Sequence, residues 1–274
     1  MCTGSMTDGT PTEPEVGLYA DPMLYDILHA PGTGEEVDGL EAIAERFAPN
    51  AQTWLEPACG TARLLRVAAA RGKRIVGFDS SEPMIDYARD RLYGRVPADR
   101  VTLYTATMQR FAEGHVRTGS VGFAFNTINT VRHLMSDADL FVHLDQVARV
   151  LSKRGAYAVG LNTTGYGWEQ PSEDIWTGSR GRVTVTQTVN YEPPAAAAPA
   201  NAERTEHVYS HLMVERPRGT EHFDSAYVLR TYSPAEWLAA IEQSPLALEA
   251  IVDEWGESCD PVEGSYRIYV LKRN

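Results

Sequence analysis

Basic residues and long apolar runs are both scarce in this chain, and each shortage excludes a class of protein. Its 274 residues contain 25 Lys and Arg against 37 Asp and Glu, so the net charge is −12. A surface this acidic repels phosphate backbones, and we expect no nucleic-acid partner. No apolar run reaches the ~18–20 residues of a membrane span. Residues 1–17 are polar and read as a flexible tail rather than a signal peptide, so we expect no membrane association.

Cysteine is also rare. Cys2, Cys59 and Cys259 are too few and too scattered to form a disulfide framework or a zinc cluster. We therefore expect no metal site, and we expect a reducing compartment, the cytoplasm.

Two phosphate-binding motifs are missing. The chain has no G-x-x-x-x-G-K-[ST] run, which excludes an ATP loop of that type. The loop "EPACGTAR" (56–63) follows an apolar segment, as a nucleotide loop does. It contains only Gly60, whereas a nicotinamide-binding loop reads G-x-G-x-x-G.

What the sequence does contain is an alternation of short apolar segments with helical patterns. Two helical patterns between Leu18 and Phe47 are followed by five predicted strands and three predicted helices. Strands alternating with helices indicate right-handed βαβ units and a mainly parallel sheet. The predicted strands are 52–56, 74–79, 101–107, 121–126 and 156–162, and the predicted helices are 62–72, 81–94 and 137–155.

The pattern changes after the fifth strand. Residues 165–231 show no good helix, and their Val, Thr and Tyr content predicts antiparallel strands at 182–191, 206–215 and 223–232. The Pro- and Ala-rich stretch 192–203 reads as a low-complexity connection. A helix at 233–244 and two last strands return to the first pattern. We therefore predict an α/β core, residues 18–164 and 232–274, with an antiparallel β insertion, residues 165–231.

The loop after the first strand resembles a known motif. Its spacing Glu56-x-Ala58-x-Gly60-x-Ala62 is similar to the acid-x-Gly-x-Gly-x-Gly run that opens the class I S-adenosylmethionine-dependent methyltransferases. Asp79 ends the second strand, 19 residues after Gly60, and "DSSEPMIDYAR" (79–89) is close to that family's usual continuation. Residues 123–135 and 144–162 match the later elements in order.

The resemblance implies a Rossmann-like, mainly parallel seven-stranded sheet and methyl transfer from S-adenosylmethionine to a small-molecule acceptor, leaving S-adenosylhomocysteine. It assigns Asp79 to the ribose hydroxyls, Met84 to the adenine, and the Met108 amide to the adenine edge, with Thr107 replacing the usual acid. The other cofactor contacts it implies are Tyr25, Glu56, Ala58, Cys59, Gly60, Arg63, Ser80 and Asn126.

Several of these residues have a second interpretation. Cys59 is either a nucleophile or a small residue of the cofactor loop. Glu56 has either a structural role or a cofactor-binding role. A carboxylate at the end of a buried strand needs a partner, and the cofactor would supply one. Arg63 either pairs with a nearby acid or contacts the cofactor carboxylate.

His133 follows the fourth strand, where methyl group and acceptor meet. It is either a general base or a hydrogen-bonded structural histidine. His207 and His211 lie four apart on a predicted strand, roughly 13 Å from each other, too far to chelate one ion alone.

With Tyr209, these histidines form one sheet face, which we interpret as facing the active site. Tyr166 and Trp168 begin the insertion. Together with Trp176 they form either a cover for the substrate or a small core beneath the β-layer. The insertion itself is either a substrate lid or a homodimer contact.

Two other functions fit the same sequence less well. One is a nicotinamide-dependent oxidoreductase of similar fold, and the other is a non-catalytic nucleoside- or partner-binding protein. Ala62 and Thr107 keep the second open, because both depart from the methyltransferase pattern, and fold alone does not settle function.

Overall fold

The computed structural model of the chain describes residues 18–194 and 204–274. The predicted tail (1–17) and most of the predicted low-complexity connection lie outside the described residues. The helices are α1 Pro22–His29, α2 Thr33–Phe47, α3 Arg63–Ala70, α4 Glu82–Leu92, α5 Asp137–Val150 and α6 Pro234–Glu242. The core strands are β1 Thr53–Pro57, β2 Arg74–Asp79, β3 Val101–Thr105, β4 Val121–Asn126, β5 Leu151–Asn162, β10 Leu246–Val252 and β11 Tyr266–Arg273.

The core strands form one seven-stranded sheet in the order β10-β11-β5-β4-β1-β2-β3. Strands β1 to β5 pair in parallel, and β11 pairs antiparallel to both β5 and β10. The order reverses between β1 and β4, the point at which open α/β sheets bind ligands. The predicted fold class, a mainly parallel seven-stranded sheet with an antiparallel insertion, is confirmed.

Helix starts follow the capping residues in the sequence. Ser233 accepts the amide of Glu236 while the Glu236 side chain accepts the amide of Ser233, a capping box that fixes the start of α6. Ser136 caps α5 in the same way by accepting the amide of Asp139. These bonds satisfy helix-end amides that would otherwise have no partner.

One predicted helix is too long. Residues 151–155 were expected to complete the helix 137–155, but α5 ends at Val150 and these residues begin β5. Leu151 pairs with Val121 and is fully buried, so pairing with β4 outweighs the helical preference of "LSKRG". Gly155 also lies against the Val121 carbonyl, where a Cβ atom would stand 2.9 Å from the oxygen.

The insertion is a four-stranded antiparallel sheet in the order β6-β7-β8-β9. Three strands were predicted, and they are β7 Val183–Glu192, β8 Thr205–Arg216 and β9 Gly219–Arg230. The sequence reading missed β6, Ser172–Arg180. Most of its side chains are exposed, so no apolar alternation marks it.

The insertion is fastened to the core through α1. Apolar residues of α1, Leu24, Ile27 and Leu28, pack with Val185 and other inward-facing residues of the antiparallel sheet. Gly178 of β6 approaches so closely that a Cβ atom there would lie 2.1 Å from the Ile27 carbonyl oxygen. This contact places the inner face of the small sheet over the carboxyl ends of the core strands.

A buried carboxylate completes this junction. Asp26 of α1 is fully buried and accepts hydrogen bonds from Arg66 of α3, from Tyr87 of α4 at 2.9 Å and from Arg180 of β6 at 2.7 Å. Each donor comes from a different element. Asp26 therefore holds the insertion, α1 and two core helices in one arrangement.

Candidate active site

The loop between β1 and α3 contains three residues in the left-handed backbone region. Ala58, Gly60 and Ala62 have φ values of 49°, 52° and 54°. These are the three positions at which the resembling motif carries glycine. The loop therefore keeps the left-handed turns that glycine favours even where alanine replaces it, at a cost of roughly 1–2 kcal/mol for each alanine.

Asp79 closes this loop from the end of β2. Its carboxylate accepts the amide of Gly60 at 2.8 Å and the amide of Ser81 at 2.9 Å. Burial raises the pKa of Asp79, and these amide bonds offset part of the effect. Ser80, next in the chain, is exposed, whereas Met84 in the first turn of α4 is buried.

Two buried oxygen atoms at neighbouring strand ends lack hydrogen-bond partners. One is Oε2 of Glu56 on β1 and the other is Oδ1 of Asn126 on β4, whose amide nitrogen donates to the Pro57 carbonyl at 2.8 Å. Burial raises the pKa of Glu56 to about 8, although Arg63 lowers it in part. Unpartnered buried acceptors are unfavourable, so both atoms suit a ligand that brings hydrogen-bond donors.

Arg63 is buried beside this pair of acceptors. It donates two hydrogen bonds to Glu36, at 2.5 and 2.7 Å, and one to the Thr33 hydroxyl at 3.2 Å. The predicted pairing of Arg63 with a nearby acid is therefore observed. Tyr25 lies over the Gly60 loop, where a Cβ atom on Gly60 would stand 3.5 Å from its ring.

Cys59 is a buried thiol rather than an exposed one. Its side chain is 5% exposed, and burial raises its pKa well above the ordinary value. A cysteine nucleophile needs a lowered pKa and access to its substrate, and Cys59 has neither. Its small side chain fits where Gly77 brings β2 close, since a Cβ atom on Gly77 would lie 2.9 Å from Sγ.

The loop after β3 is held by a histidine that sequence reasoning did not single out. His143 Nδ1 lies 3.1 Å from the Met108 carbonyl, and Nε2 lies 2.9 Å from the Tyr157 hydroxyl. Because a carbonyl only accepts, Nδ1 donates and Nε2 accepts from Tyr157. Burial lowers the pKa of His143 to about 4, so the ring is neutral and fixes Met108 beside the exposed Thr107.

The loop after β4 has a strained backbone. Ile128 and Asn129 have φ values of 58° and 62°, and a β-branched residue rarely adopts this region. The loop is held because Asn129 and Asn162 exchange hydrogen bonds of 2.9 and 2.7 Å, and the Ile128 amide donates to the Tyr266 hydroxyl at 3.3 Å. Strain of this kind clusters at binding sites.

A cavity of about 910 Å³ opens between this loop and the inner face of the insertion. Its walls include Asn129 and Asn162 from the core and Asp174, Trp176 and Glu206 from the antiparallel sheet. The size is that of a small-molecule site, which spans about 300–1,000 Å³ in most proteins.

The predicted substrate residue Trp168 forms part of this cavity. Its ring is 55% exposed and lies against Gly165 and Gly264, where Cβ atoms would stand 2.2 and 2.9 Å from it. Its indole nitrogen donates to Glu263 at 3.2 Å. Two glycines thus create the space in which the ring is seated.

Glu169, which sequence reasoning missed, lies beside Trp168 in the cavity wall. Its Oε2 is buried without a hydrogen-bond partner. Burial raises its pKa, and the nearby Glu206 raises it further, while Arg132 lowers it. Arg132 and Glu206 form a buried ion pair of 2.8 Å between the two sheets. A cleft carboxylate of this kind is a candidate proton acceptor.

His133 lies among aromatic rings. Its ring stands 5.8 Å from that of Tyr227 in a stacked arrangement and 6.3 Å from that of Tyr19 in an edge contact. One edge of His133 is exposed, but surrounding protein and the adjacent Arg132 lower its pKa to about 4. The imidazole is therefore neutral at physiological pH and a weak base.

The remaining predicted insertion residues lie outside this cavity. His207, Tyr209 and His211 do share one face of β8, as predicted, but that face is exposed and lies opposite the one that carries Glu206. The interpretation that they face the active site is therefore wrong for this cavity, because alternation along the strand sends them outward. Tyr166 lies nearby, with its hydroxyl 3.0 Å from that of Thr231.

The described residues offer neither a metal-binding cluster nor a membrane-spanning helix. Within residues 18–194 and 204–274, no group of three or more His, Cys, Asp or Glu side chains has a metal-binding arrangement. None of the helices in the same part of the chain combines the length and apolarity required to cross a membrane.

Comparison with known proteins agrees with this geometry. Residues 55–155 match the model of a methyltransferase domain family. A dTDP-3-amino-3,6-dideoxy-alpha-D-glucopyranose N,N-dimethyltransferase of Streptomyces fradiae is 27% identical over 233 residues, which cover 82% of this chain and 83% of that protein. Strand order, cofactor loop and family model together define a methyltransferase domain.

Solved structures show the same fold. Streptomyces venezuelae DesVI superposes with a TM-score of 0.71 at 20% identity, over 95% of this chain and 100% of that chain. CalS10 with bound S-adenosylmethionine, an amino pentose methyltransferase of Micromonospora echinaspora, gives 0.66 at 19% identity, over 88% and 92%. Residues 55–155 are a methyltransferase domain, and the chain is an S-adenosylmethionine-dependent methyltransferase of the class I fold. The prediction made from the sequence is confirmed in preference to its two alternatives.

Proposed function

We propose that this methyltransferase transfers a methyl group to the nitrogen of a small amine, an amino sugar or a compound that carries one. The observation that supports this most directly is the cavity wall, where the buried Oε2 of Glu169, which has no hydrogen-bond partner, lies beside the exposed ring of Trp168. Carboxylates and tryptophan faces are the groups that bind ammonium ions in proteins. The relative from Streptomyces fradiae is named for N,N-dimethylation of an amino sugar, which agrees with this proposal.

We also propose how the chain holds its cofactor. S-adenosylmethionine presents an ammonium group, a carboxylate, two ribose hydroxyls and an adenine. The unpartnered oxygens of Glu56 and Asn126 suit the ammonium, the Arg63 region suits the carboxylate, and Asp79 suits the ribose hydroxyls. Other candidate contacts are Tyr25, Ala58, Cys59, Gly60, Ser80, Met84, Thr107 and Met108.

The bound cofactor supplies a methyl group already activated by the positive charge on sulfur. What the chain must supply is alignment of the acceptor, worth up to ~7–11 kcal/mol in well-oriented systems, and removal of a proton from the amine. An amine that enters as an ammonium ion has no free electron pair. Glu169 is the proposed proton acceptor, with His133 as the alternative that the sequence predicts.

For the insertion, residues 165–231, we propose two roles on its two faces. Its inner face carries Asp174, Trp176 and Glu206 and acts as the wall of the acceptor cavity. Its outer face, with Tyr209 45% exposed, is left for a contact between two copies in a homodimer.

The free thiols Cys59 and Cys259 agree with a reducing location, and we propose the cytoplasm.

The proposed reaction is tested with methyl 3-amino-3,6-dideoxy-α-D-glucopyranoside, the dTDP-linked form of the same amino sugar, and methyl 6-deoxy-α-D-glucopyranoside, in which a hydroxyl replaces the amine. We expect S-adenosylhomocysteine formation and an added N-methyl group with at least one of the two amines, and no product with the hydroxyl compound. Mass spectrometry and NMR identify the methylated atom. O-methylation, or no turnover of either amine by protein that binds S-adenosylhomocysteine, would contradict N-methylation of an amino sugar.

The two roles of the insertion are separated by a matched pair of variants. Trp168→Ala should raise the acceptor KM or lower kcat while S-adenosylhomocysteine affinity stays within about twofold, because a truncated side chain acts through its own contacts. Tyr209→Ala should leave kinetics unchanged and alter only the concentration dependence of sedimentation. Altered assembly with unaltered kinetics in Trp168→Ala would exclude the wall role of that residue.

A further inference from the structure

The charges that line the acceptor cavity are almost all negative. Six carboxylates reach it: Glu35, Glu36, Glu169, Asp174, Glu206 and Glu254. Among the described residues that line it, Arg132 is the single Lys, Arg or His, and it is already paired with Glu206 at 2.8 Å.

Most of these carboxylates have no ion pair. Glu36 is paired with Arg63 and Glu206 with Arg132, but no Lys, Arg or His of the described residues forms an ion pair with Glu35, Glu169, Asp174 or Glu254. The two segments outside the described residues, 1–17 and 195–203, contain no Lys, Arg or His. These segments therefore contribute no basic side chain to the cavity.

The helix start at the cavity does not compensate for the missing cations. A helix N-terminus favours a bound anion, but the first turn of α2 already carries the negative charges of Glu35 and Glu36. These charges oppose the binding of a second anion there. A diphosphate needs the opposite surroundings, with Arg, Lys or free backbone amides directed at its oxygens. The negative charges that line this cavity therefore repel a diphosphate.

The apolar part of the wall suits a cation as well. Trp168, Trp176 and Trp255 line the cavity and remain 55%, 40% and 57% exposed. Aromatic faces attract cations through the ring quadrupole, most strongly when carboxylates stand nearby and water is partly excluded. The exposed tryptophan rings and the unpaired carboxylates of this cavity together suit the binding of an ammonium ion.

We propose that the acceptor enters this cavity as an ammonium ion that carries no phosphate, so that the enzyme methylates a free or glycosidically linked amine rather than a nucleotide-activated sugar. This inference rests on the proposed N-methylation. The ammonium gives one proton to a cavity carboxylate, the freed nitrogen electron pair forms the new N–C bond, and the C–S bond of the methyl donor breaks with its electrons left on sulfur.

The proposal also fixes a place in a reaction sequence. If the amine belongs to a sugar, the glycosyl transfer that removes the nucleoside diphosphate comes before methylation. A glycosyl transfer reaction then supplies the substrate of this enzyme.

Two probes that differ only at the anomeric substituent test the proposal. They are dTDP-3-amino-3,6-dideoxy-α-D-glucopyranose and methyl 3-amino-3,6-dideoxy-α-D-glucopyranoside, assayed with the full chain and S-adenosylmethionine. We expect kcat/KM for the methyl glycoside to exceed that of the nucleotide-linked sugar at least tenfold. A preference for the nucleotide-linked sugar would overturn the proposal and leave N-methylation intact.

A binding measurement decides the proposal without turnover. dTDP is titrated by calorimetry into the protein saturated with S-adenosylhomocysteine, at low and at moderate salt. We expect no saturable binding below millimolar concentration. Micromolar binding of dTDP overturns the proposal whether or not either sugar is methylated, and its absence upholds the charge argument even if N-methylation of these sugars fails.

Variants of the cavity carboxylates test whether these residues cause the preference for the methyl glycoside over the nucleotide-linked sugar. Asp174→Asn combined with Glu254→Gln should lower kcat/KM for the methyl glycoside several-fold and narrow its advantage over the nucleotide-linked sugar. Glu173→Gln combined with Glu249→Gln is the matched control, because it removes two charges as well, from exposed positions of β6 and β10 that do not line the cavity. Equal effects in the control and the double variant would show that overall charge, and not the cavity, sets the selectivity, which contradicts the proposal.

Discussion

The carboxylate of Asp79, at the end of β2, accepts the backbone amide of Gly60 at 2.8 Å and so holds the loop that follows β1. The same carboxylate accepts the Ser81 amide at the start of α4. Asp79 thus connects the two segments between which the cofactor is proposed to lie. A residue that both shapes a loop and offers oxygens to a ligand needs variants that separate the two effects.

We expect Asp79→Asn to weaken S-adenosylhomocysteine binding by about 1–3 kcal/mol, because an amide offers one acceptor oxygen where the carboxylate offers two. Asp79→Ala should weaken it at least as much and also lower Tm, since the Gly60 and Ser81 amides both lose their acceptor. Calorimetry and thermal unfolding measure the two effects. Asp90→Asn, an exposed change on α4, the helix that follows Asp79, is the control. An unchanged dissociation constant in Asp79→Asn would remove Asp79 from the site.

Cofactor binding should release a proton from Glu56. Burial raises the pKa of Glu56 to about 8, so at pH 7 the free protein holds this carboxyl mostly protonated. An ammonium group placed beside it lowers that pKa, and about one proton leaves on binding. Calorimetry at pH 7 in buffers of different ionisation enthalpy counts the protons. Glu56→Gln should abolish the release and weaken binding.

The same pKa shift has a consequence for stability. Because the folded-state pKa lies above the unfolded value, the contribution of Glu56 is fully present at low pH and is lost as pH rises through about 8. Glu56→Gln should therefore stabilise the ligand-free protein at pH 9 relative to wild type and change it little at pH 4, below the ordinary Glu pKa of 4.5. Equal Tm differences at both pH values would contradict the raised pKa.

Glycine at the left-handed position 58 should stabilise the protein. Ala58 has φ 49° and is only partly buried, so Ala58→Gly relieves backbone strain and should raise the free energy of unfolding by about 1 kcal/mol. Ala62→Gly should give less, because Ala62 is fully buried and loses a packed methyl group. Urea unfolding of both variants measures the difference. A destabilised Ala58→Gly would show that its backbone is not strained.

Glu169 and His133 make different predictions as proton acceptors. If Glu169 takes the proton, Glu169→Gln should lower kcat at least tenfold near neutral pH, and the loss should shrink as pH exceeds the pKa of the acceptor amine. His133→Gln should then leave the pH profile unchanged. The probe is the methyl 3-amino-3,6-dideoxy glycoside, assayed from pH 6 to 10. A raised KM with unchanged kcat in Glu169→Gln would show that Glu169 binds the ammonium ion but does not accept its proton.

Asp26 should account for part of the acid sensitivity of the fold. Burial raises its pKa, but hydrogen bonds from Arg66, Arg180 and Tyr87 outweigh that effect, and the pKa is lowered overall. A lowered folded-state pKa contributes stability above the unfolded value that is lost as pH falls through the folded pKa. Asp26→Asn should cost about 3–5 kcal/mol at pH 7 because it removes the fully buried charge that the half-buried Arg66 and Arg180 share.

The control for Asp26 is Asp38→Asn, which removes an exposed carboxylate paired with Arg71 at 2.7 Å. An exposed pair contributes roughly 0–1 kcal/mol. Chemical unfolding at pH 7 and pH 2 should show the Asp26→Asn deficit shrinking at the lower pH, because the contribution is lost only below the ordinary Asp pKa of 3.8. A deficit that stays constant would assign the effect to packing instead of charge.

Local sequence signals are enough to predict the α/β core and its cofactor loop. Alternating apolar segments and helix caps such as Ser233 are local signals, and the parallel sheet follows from their order. The spacing from Glu56 through Gly60 to Asp79 is also local, since each residue ends a strand or lies in the turn behind one. The left-handed geometry at Ala58 and Ala62 is known only from the structure, because alanine in the sequence does not mark a left-handed position.

The side chains that meet across the cavity come from distant segments, and the packing of those segments brings them together. Glu169 and Glu206 lie 37 positions apart in the sequence, and no local pattern marks them as neighbours. The predicted face of β8 turned outward because a strand alternates, and the α1 contact at Gly178 selects which side is covered. β6 was missed because its charged, exposed residues lack a periodic signal. The acceptor site is acidic because of the way two sheets pack, and packing between distant segments is what a linear pattern does not contain.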